Sequence, residues 1–382
     1  MGRAERKRWA DNDRVCELLE ESDRRNLTAE ELAEIRARYT GQGGLVASSW
    51  DNGQYFTPSL VTKFVIDLLG IHEESELNIL EPSCGGGAFL EHLPFASNVT
   101  GIEQMHQAAK VSGLLHPTAR IHAADALSMN DDLAGRFDVV VGNPPFGPYR
   151  RQDDHAGFEA TIRSGKLEWA FIELALNALR PGGVMALVVP DGILGNSKDT
   201  PYRKWLLGNY WLHAVISLPE LTFKPTGTTV KTSVLVVQKP YGKVEYSDAK
   251  DGGRFCVCPF SDGVFMAVCS EIGWDSRLRP TGKCDLPKIL DAWQKRFPNG
   301  LAHLKETADV DSYAIPLPEE TVSSVLVAEG LVKEERATGE RTAEASTVAR
   351  ISDARVSVTG RAGKNASAET HQLSFDFTER AA

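Results

Sequence analysis

The stretch that decides the fold is residues 79–90, which read ILEPSCGGGAFL. A buried strand is predicted here, followed by a turn of three glycines and then a helix. Glycines have no Cβ atom, so a ligand can lie against their backbone, and a helix N-terminus offers free N–H groups. The turn has Leu90 where a dinucleotide fingerprint needs glycine, and it lacks the Gly-Lys-Ser/Thr of a P-loop. It therefore predicts a small-molecule site of another kind.

On both sides of this turn, from Phe56 to about Pro240, short apolar runs alternate with amphipathic stretches. This pattern predicts βαβ units on a parallel sheet. Helices are predicted over 4–39, with a capping box at Thr28 and Glu31, over 59–69, and over 166–179, where Pro-Gly-Gly at 181–183 should end the helix. Seven strands are predicted, over 77–81, 99–103, 120–123, 137–142, 184–189, 214–218 and 232–238.

Acidic residues lie at the ends of the first three predicted strands: Glu81, Glu103 and Asp125. The carboxyl ends of parallel strands meet at one edge of a sheet, where ligands bind. A carboxylate after the second strand can accept from both hydroxyls of a ribose. A carboxylate after the third can accept from an adenine amino group.

Asn143-Pro144-Pro145-Phe146 follows the fourth predicted strand at the same edge. Asn143 offers a carbonyl acceptor, and the prolines have no N–H group, so the backbone carbonyls are presented rather than paired. Phe146 offers a flat face to a base. An exocyclic amino group that donates to both carbonyls is polarised for attack on a methyl donor.

Together, Glu-Pro-Ser-Cys-Gly-Gly-Gly at 81–87 and the Asn-Pro-Pro-Phe tetrapeptide resemble the DNA methyltransferases that methylate amino groups, specifically the N6-adenine class. The segment Tyr55-Phe56-Thr57-Pro58 comes first, which resembles the gamma order of motifs. Residues 190–235 resemble the modification subunits of type I restriction systems and their standalone phage relatives. The resemblance extends over about residues 39–310.

The resemblance implies an α/β fold: a Rossmann-like, seven-stranded sheet of the class I AdoMet-dependent methyltransferases with a small α+β C-terminal appendage. The cofactor implied is S-adenosyl-L-methionine (AdoMet). The implied reaction is methyl transfer to the N6 amino group of an adenine flipped out of double-stranded DNA, without a metal. The catalytic residues implied are Asn143, Pro144, Pro145 and Phe146. The cofactor-binding residues implied are Tyr55, Phe56, Thr57, Glu81, Pro82, Ser83, Gly85, Gly87, Glu103, Asp125 and Asn143.

Charge is unevenly distributed along the chain, whose net charge is −10. Residues 41–144 hold 4 basic and 12 acidic residues, whereas 145–240 hold 11 and 8. We therefore expect DNA to meet the second stretch. The candidates for phosphate contact are Arg150, Arg151, Lys198, Lys224 and Lys231, with Arg203 and Lys204 in the same set.

The predicted organisation has four parts. An N-terminal helical segment (1–40) precedes the methyltransferase domain (41–240), an α+β appendage that could recognise DNA (241–330), and a disordered tail (331–382). The cysteine spacing at 256–284 does not match a usual zinc site. No secretory signal or long apolar segment is apparent, which favours a cytoplasmic protein without a membrane span.

The sequence also suggests candidate partners and two alternative functions. The type I resemblance implies a specificity or restriction subunit, and residues 372–377, QLSFDF, resemble a sliding-clamp peptide. The same tetrapeptide could serve methylation of RNA guanine or of a protein glutamine. A different class of function is a catalytically idle DNA-binding or assembly subunit, which the intact residues 143–146 argue against.

Overall fold

A mixed sheet of eight strands forms the centre of the protein, in the order β10-β6-β7-β5-β4-β1-β2-β3. The computed structural model describes residues 3–39, 56–149, 152, 155, 158, 164–241, 244–248, 254–256, 263–298 and 300–301. The strands are β1 Asn78–Glu81, β2 Asn98–Glu103, β3 Arg120–Ala123, β4 Phe137–Gly142, β5 Leu179–Pro190, β6 Trp211–Ser217, β7 Thr232–Gln238, β8 Tyr246–Asp248, β9 Arg254–Cys256, β10 Phe265–Val268, β11 Ile272–Trp274 and β12 Pro280–Cys284.

Helices cover both faces of this sheet. They are α1 Arg3–Ser22, α2 Ala29–Arg38, α3 Ser59–Leu69, α4 His106–Leu115, α5 Asn130–Leu133, α6 Leu167–Ala178, α7 Asp191–Gly195, α8 Thr200–Asn209 and α9 Leu286–Arg296. Successive residues of a strand point to opposite faces. Val139 accordingly packs with residues of α3 and α9, and Val140 with residues of α6 and α8. This two-sided burial explains why the central strands are continuous apolar runs.

The α/β class and the seven predicted strands are confirmed, but β7 is not parallel to its neighbours. It pairs antiparallel with both β5 and β6. A parallel return needs a crossover connection, usually a helix. The connection from β6 to β7 contains only the 3₁₀ helix Lys224–Thr226. The chain therefore turns back beside β6 in the opposite direction.

The C-terminal region adds an eighth strand to the predicted seven. β10 pairs in parallel with β6, whose outer edge would otherwise be open for pairing with another chain. Helix α9 packs against α3, and the Trp293 indole N–H donates to the Leu68 carbonyl over 2.6 Å. The described part of the predicted appendage is thus continuous with the central sheet.

One local prediction was wrong, and another was right in its bounds but not in its reason. The glycine turn leads into further turns and the short 3₁₀ helix Leu90–His92, not into an α-helix. The helix predicted over 166–179 is confirmed as α6, Leu167–Ala178, but β5 begins directly at Leu179, so Pro181-Gly182-Gly183 belong to the strand and do not end the helix. They pair with Lys239. The Lys239 N–H donates to the Gly183 carbonyl, and the Lys239 carbonyl accepts from the Gly182 N–H.

The N-terminal helices pack against α4, which lies beside β2 and β3. Val15 and Leu18 of α1, Ile35 of α2 and Val111 of α4 form a separate apolar cluster. The predicted capping box is present: Glu31 N donates to Thr28 Oγ1 and Thr28 N to Glu31 Oε2. Within the described ranges, no helix is both long and apolar enough to cross a bilayer.

Candidate functional site

A cavity of about 590 Å³ opens at the carboxyl ends of β1, β2 and β4. This volume is within the range of small-molecule sites, which are usually about 300–1,000 Å³. The predicted site residues that line it are Phe56, Thr57, Glu81, Pro82, Ser83, Gly85, Glu103, Asp125, Asn143, Pro145 and Phe146. The cavity therefore brings together most of the residues that the sequence predicted for cofactor and for base.

Glu81 ends β1 at the floor of the cavity and is 2% exposed. Its Oε2 atom has no hydrogen-bond partner among the described residues. Burial, with a smaller effect from Glu103, raises the pKa of Glu81 well above its ordinary value of 4.5. A buried acceptor without a donor is costly, so this oxygen is suited to a ligand that donates.

Glu103 ends β2 and supports the glycine turn. Its two oxygens accept from Gly85 N over 3.0 Å and from Met105 N over 2.7 Å. Burial raises the pKa of Glu103, although these N–H groups favour the charged form. Each carboxylate oxygen keeps a second lone pair for a ligand hydroxyl.

Asp125 caps the 3₁₀ helix Ala126–Met129, where Oδ1 accepts from Leu127 N over 2.9 Å. Its Oδ2 lies 3.2 Å from His155 Nε2. The backbone and His155 thus fix both oxygens, and the carboxylate remains at the cavity wall.

The glycines of the turn have different reasons for lacking a side chain. Gly85 has a φ of 52° and faces the open cavity, where an added Cβ would meet nothing within 4 Å. At Gly86 a Cβ would lie 2.7 Å from the Tyr39 ring and 3.1 Å from the Phe56 ring. The prediction that Gly87 lines the site was wrong. Gly87 packs against α4, where a Cβ would lie 2.5 Å from the His116 ring.

Residues 143–146 lie directly after β4, on the other side of the cavity. The Asn143 carbonyl accepts from Ser83 Oγ over 3.4 Å, which connects the tetrapeptide to the glycine turn. Phe146 is half-exposed, whereas Pro144 is buried and is not among the lining residues. Next in the chain, Gly147 N donates to Glu168 Oε2 over 3.0 Å. The start of α6 therefore fixes the residue that follows the tetrapeptide.

Tyr39, Tyr149 and His155 are among the side chains of the cavity that were not predicted from the sequence. Tyr39 ends α2 and packs edge-on against Phe56, with ring centroids 5.3 Å apart. Tyr39 and His155 lie in segments outside the motifs, whereas Tyr149 lies three residues after Phe146. Tyr39 can approach the glycine turn closely because Gly86 has no Cβ atom. Predicted Tyr55 lies outside the described residues.

The predicted phosphate contacts have different surroundings. Lys198 is exposed, and Lys224 and Lys231 are half-exposed. Lys231 Nζ lies 3.8 Å from Asp191 Oδ2. Arg203 and Lys204 were wrong candidates, since both are buried in α8, and Arg203 donates to the carbonyls of Ile193 and Asn196. Arg150 and Arg151 lie outside the described residues.

Among the described residues, no group of three His, Cys, Asp or Glu side chains could hold a metal. Cys256 packs with Trp211 and Tyr241, whereas Cys269 lies in the main core with Ile272. Cys258 and the tail peptide at 372–377 lie outside the described residues.

Comparison with known proteins defines first the class and then the family. A solved structure from Listeria monocytogenes, assigned as a class I S-adenosylmethionine-dependent methyltransferase, matches with a TM-score of 0.52 and 20% identity, over 71% of this chain and 80% of that one. The protein thus has the class I methyltransferase fold. A family model described as N-6 DNA Methylase matches residues 46–311. The chain belongs to this family.

Two curated relatives are similar over part of their length. "Defense against restriction protein B" of Escherichia phage P1 is 28% identical over 242 residues, which cover 60% of this chain and 10% of the phage protein. The type I restriction enzyme EcoEI methylase subunit of Escherichia coli is 27% identical over 261 residues, covering 59% of this chain and 51% of the subunit. This chain therefore spans about half of one relative and a tenth of the other.

The cavity fits the cofactor of this family, S-adenosyl-L-methionine. That molecule has an ammonium group, two ribose hydroxyls and an adenine amino group, all of which donate hydrogen bonds. The cavity presents buried carboxylates at Glu81 and Glu103, a partly exposed carboxylate at Asp125, and a backbone surface without side chains at Gly85. The unpartnered Oε2 atom of Glu81 is the observation that most favours a bound cation.

Proposed function

We propose that this protein transfers a methyl group from S-adenosyl-L-methionine to the N6 amino group of adenine in double-stranded DNA. The observation that supports this most is that Asn143, Pro145 and Phe146 open into the cavity that also contains Glu81, Glu103 and Asp125. A cofactor and a base can therefore share one enclosed space. Holding two reactants in contact removes much of the entropic barrier to their reaction.

On the cofactor side, each carboxylate has its own task. Glu81 faces the ammonium group, Glu103 the ribose hydroxyls and Asp125 the adenine amino group. Phe56 and Thr57 close the cavity from the start of α3. The bound cofactor supplies an electrophilic methyl group.

On the base side, the Asn143 side chain and the Pro144 carbonyl accept from the amino group of the target adenine. These two acceptors orient the nitrogen lone pair and increase its electron density. Phe146 stacks on the ring, a contact worth about 1–3 kcal/mol per base. An adenine inside a duplex cannot reach this site, so the nucleotide is extruded from the stack.

The DNA lies across the ends of β5 and β6 and the start of β7, next to the cavity. Lys198 follows α7 after β5, and Lys224 and Lys231 lie in the connection from β6 to β7. All three are therefore at the carboxyl edge of the sheet. They position the duplex through phosphate contacts, which carry no sequence information.

Recognition of the sequence around the adenine is assigned to the hairpin β11–β12. Because β10 runs parallel to β6, the hairpin that follows it emerges at the same edge. The Trp274 indole N–H donates to the Leu221 carbonyl over 2.8 Å, which fixes the hairpin beside the β6–β7 connection. The likeness to a type I methylase subunit suggests a specificity or restriction subunit as partner. The sliding-clamp peptide at 372–377 stays a prediction.

The test is methylation of plasmid DNA by the purified full chain with S-adenosyl-L-methionine, read by single-molecule sequencing. We expect N6-methyladenine at a discrete set of sites. If methylation begins only after a specificity subunit is added, recognition belongs to that partner and not to the hairpin. Methyl groups on RNA guanine or protein glutamine, with adenine unmodified under every condition, would overturn the proposed function.

A further inference from the structure

A chain of three hydrogen-bonding side chains, two of them buried, connects the two sides of the cavity. His155 Nε2 lies 3.2 Å from Asp125 Oδ2, and His155 Nδ1 lies 3.1 Å from the Tyr149 hydroxyl. His155 is 2% exposed and Tyr149 8%. The two rings are nearly parallel, with an interplanar angle of 9°. The bond between His155 and Tyr149 is therefore shielded from water. Hydrogen bonds are stronger in the protein interior than in water.

The direction of the hydrogen bonds follows from the groups around His155. The backbone N–H of Gln152 points at Nδ1 over 3.4 Å, so Nδ1 is an acceptor. Nε2 then has the proton, which it donates to the Asp125 carboxylate. In this tautomer the Tyr149 hydroxyl, at 3.1 Å, is the nearer donor to Nδ1 and shares its single lone pair with the Gln152 N–H. The bonds run in one direction, from Tyr149 through His155 to Asp125.

The two ends of this chain serve different halves of the site. At one end, Asp125 is the carboxylate placed for the adenine of the cofactor. At the other, Tyr149 lies three residues after Phe146. Tyr149 N donates to the Gly165 carbonyl over 2.8 Å, and Pro148 pairs with Lys166. Tyr149 therefore belongs to the same hydrogen-bonded segment, residues 146–149, as Phe146, which faces the base.

We propose that His155 is a positioning residue that couples binding of S-adenosyl-L-methionine to placement of the target adenine. This rests on the proposed function. When a donor occupies the cofactor site, Asp125 is held in place, and His155 and Tyr149 hold the segment 146–149 in the arrangement that receives the base. Linkage requires the reverse as well: DNA strengthens cofactor binding by the same factor.

The experiment compares the affinity for S-adenosyl-L-methionine of the full chain by calorimetry, with and without a duplex that the wild type methylates. Tyr149→Phe removes one hydroxyl and keeps the ring. We expect its affinity without DNA to stay within about twofold of the wild type. The enhancement by DNA should fall about three- to tenfold, the usual effect of one lost hydrogen bond.

Two substitutions of His155 separate its two bonds. His155→Gln keeps an amide donor near the Nε2 position and should largely preserve cofactor affinity without DNA. His155→Asn keeps an acceptor near the Nδ1 position but loses the bond to Asp125, so cofactor affinity without DNA should fall about three- to tenfold. His122→Ala, an exposed histidine of β3 outside the cavity, is the control and should change neither value.

Unchanged enhancement by DNA in folded Tyr149→Phe, or no enhancement in the wild type, would overturn the coupling. Equal loss of cofactor affinity in His155→Gln and His155→Asn would reduce His155 to a structural role. A wild type that binds the cofactor but methylates adenine in no duplex would refute the proposed function instead. The His155 pair is measured without DNA, so the two failures are distinguishable.

Discussion

The carboxyl edge of the sheet has two halves with opposite charge. The acidic half, at the ends of β1, β2 and β3, contains Glu81, Glu103 and Asp125. The basic half, at the ends of β5 and β6 and the start of the antiparallel β7, contains Lys198, Lys224 and Lys231. Glu81 and Glu103 are buried, whereas Lys198 is exposed and the other two lysines are half-exposed.

This difference in burial matches two kinds of ligand. Carboxylates removed from water become strong, directed acceptors for a small molecule with several donors. Cations left in water attract a polyanion over a longer range and release its counterions when they bind. The Asn-Pro-Pro-Phe tetrapeptide after β4 lies between the halves, where a cofactor from one side can meet a base from the other. Each prediction below perturbs one half or the boundary.

The largest effect is expected at the boundary. Asn143→Ala should lower methyl transfer at least about 100-fold, the usual loss when one preorganised polar contact to the reacting group is removed. Cofactor affinity should change little, because Asn143 acts on the base. Rates and calorimetry on the same preparation measure both. A variant that methylates adenine at the wild-type rate would contradict the assigned role.

The next effect is in the acidic half. Glu103→Ala should weaken cofactor binding by roughly 1.5–3 kcal/mol, the range for hydrogen bonds to charged groups. The substitution also frees the N–H groups of Gly85 and Met105, which adds to the loss. Titration calorimetry measures it, with the exposed residue Glu76→Ala as control. Equal affinities for Glu103→Ala and the wild type would exclude Glu103 from the site.

Glu81 should reduce the stability of the cofactor-free protein. Its folded-state pKa lies above the unfolded value, so the folded state binds the proton more tightly. Stability is then lost as pH rises from about 4.5 towards the folded-state pKa. Glu81→Gln should therefore stabilise the free protein by about 1–3 kcal/mol near neutral pH, and by less near pH 5. Denaturant unfolding at the two pH values provides the test; an equal gain at both would contradict the argument.

The smallest effect is in the basic half. Lys224→Ala should weaken DNA binding equally for all sequences and reduce the salt slope by about 0.9, the contribution of one neutralised phosphate. Lys231→Ala should change the slope less, because Asp191 already lies near its ammonium group. Fluorescence titrations at several salt concentrations compare the two. A change confined to certain sequences would mean that Lys224 reads bases.

Much of the sheet could be predicted because its signals are local. Most of the seven strands are apolar runs within one segment, and Glu81, Glu103 and Asp125 lie at or just after the ends of β1, β2 and β3. β10 was not predicted because it lies outside the alternating pattern of 56–240 and pairs only with β6, which is remote in the sequence. The antiparallel direction of β7 was not predicted, because an apolar run does not indicate whether a strand runs parallel or antiparallel to its neighbours.

The missed residues of the cavity show the same limit. His155 has no motif around it, and its role appears only when folding brings it to Asp125 and Tyr149. Gly87 shows the reverse error. A ligand or a packed helix can each require a glycine, and the sequence does not distinguish them. At Gly87 the requirement comes from His116 on the far side of the turn.

Hydrogen exchange on the full chain tests the division of the edge most directly. Adding S-adenosyl-L-methionine alone should slow exchange at Gly85, Met105 and Leu127, whose N–H groups bond to the carboxylates of the acidic half. It should leave residues 219–231 and 272–284 unchanged. A DNA duplex should then protect those two segments. Protection of 219–231 by the cofactor alone, with none at Gly85, would contradict the account.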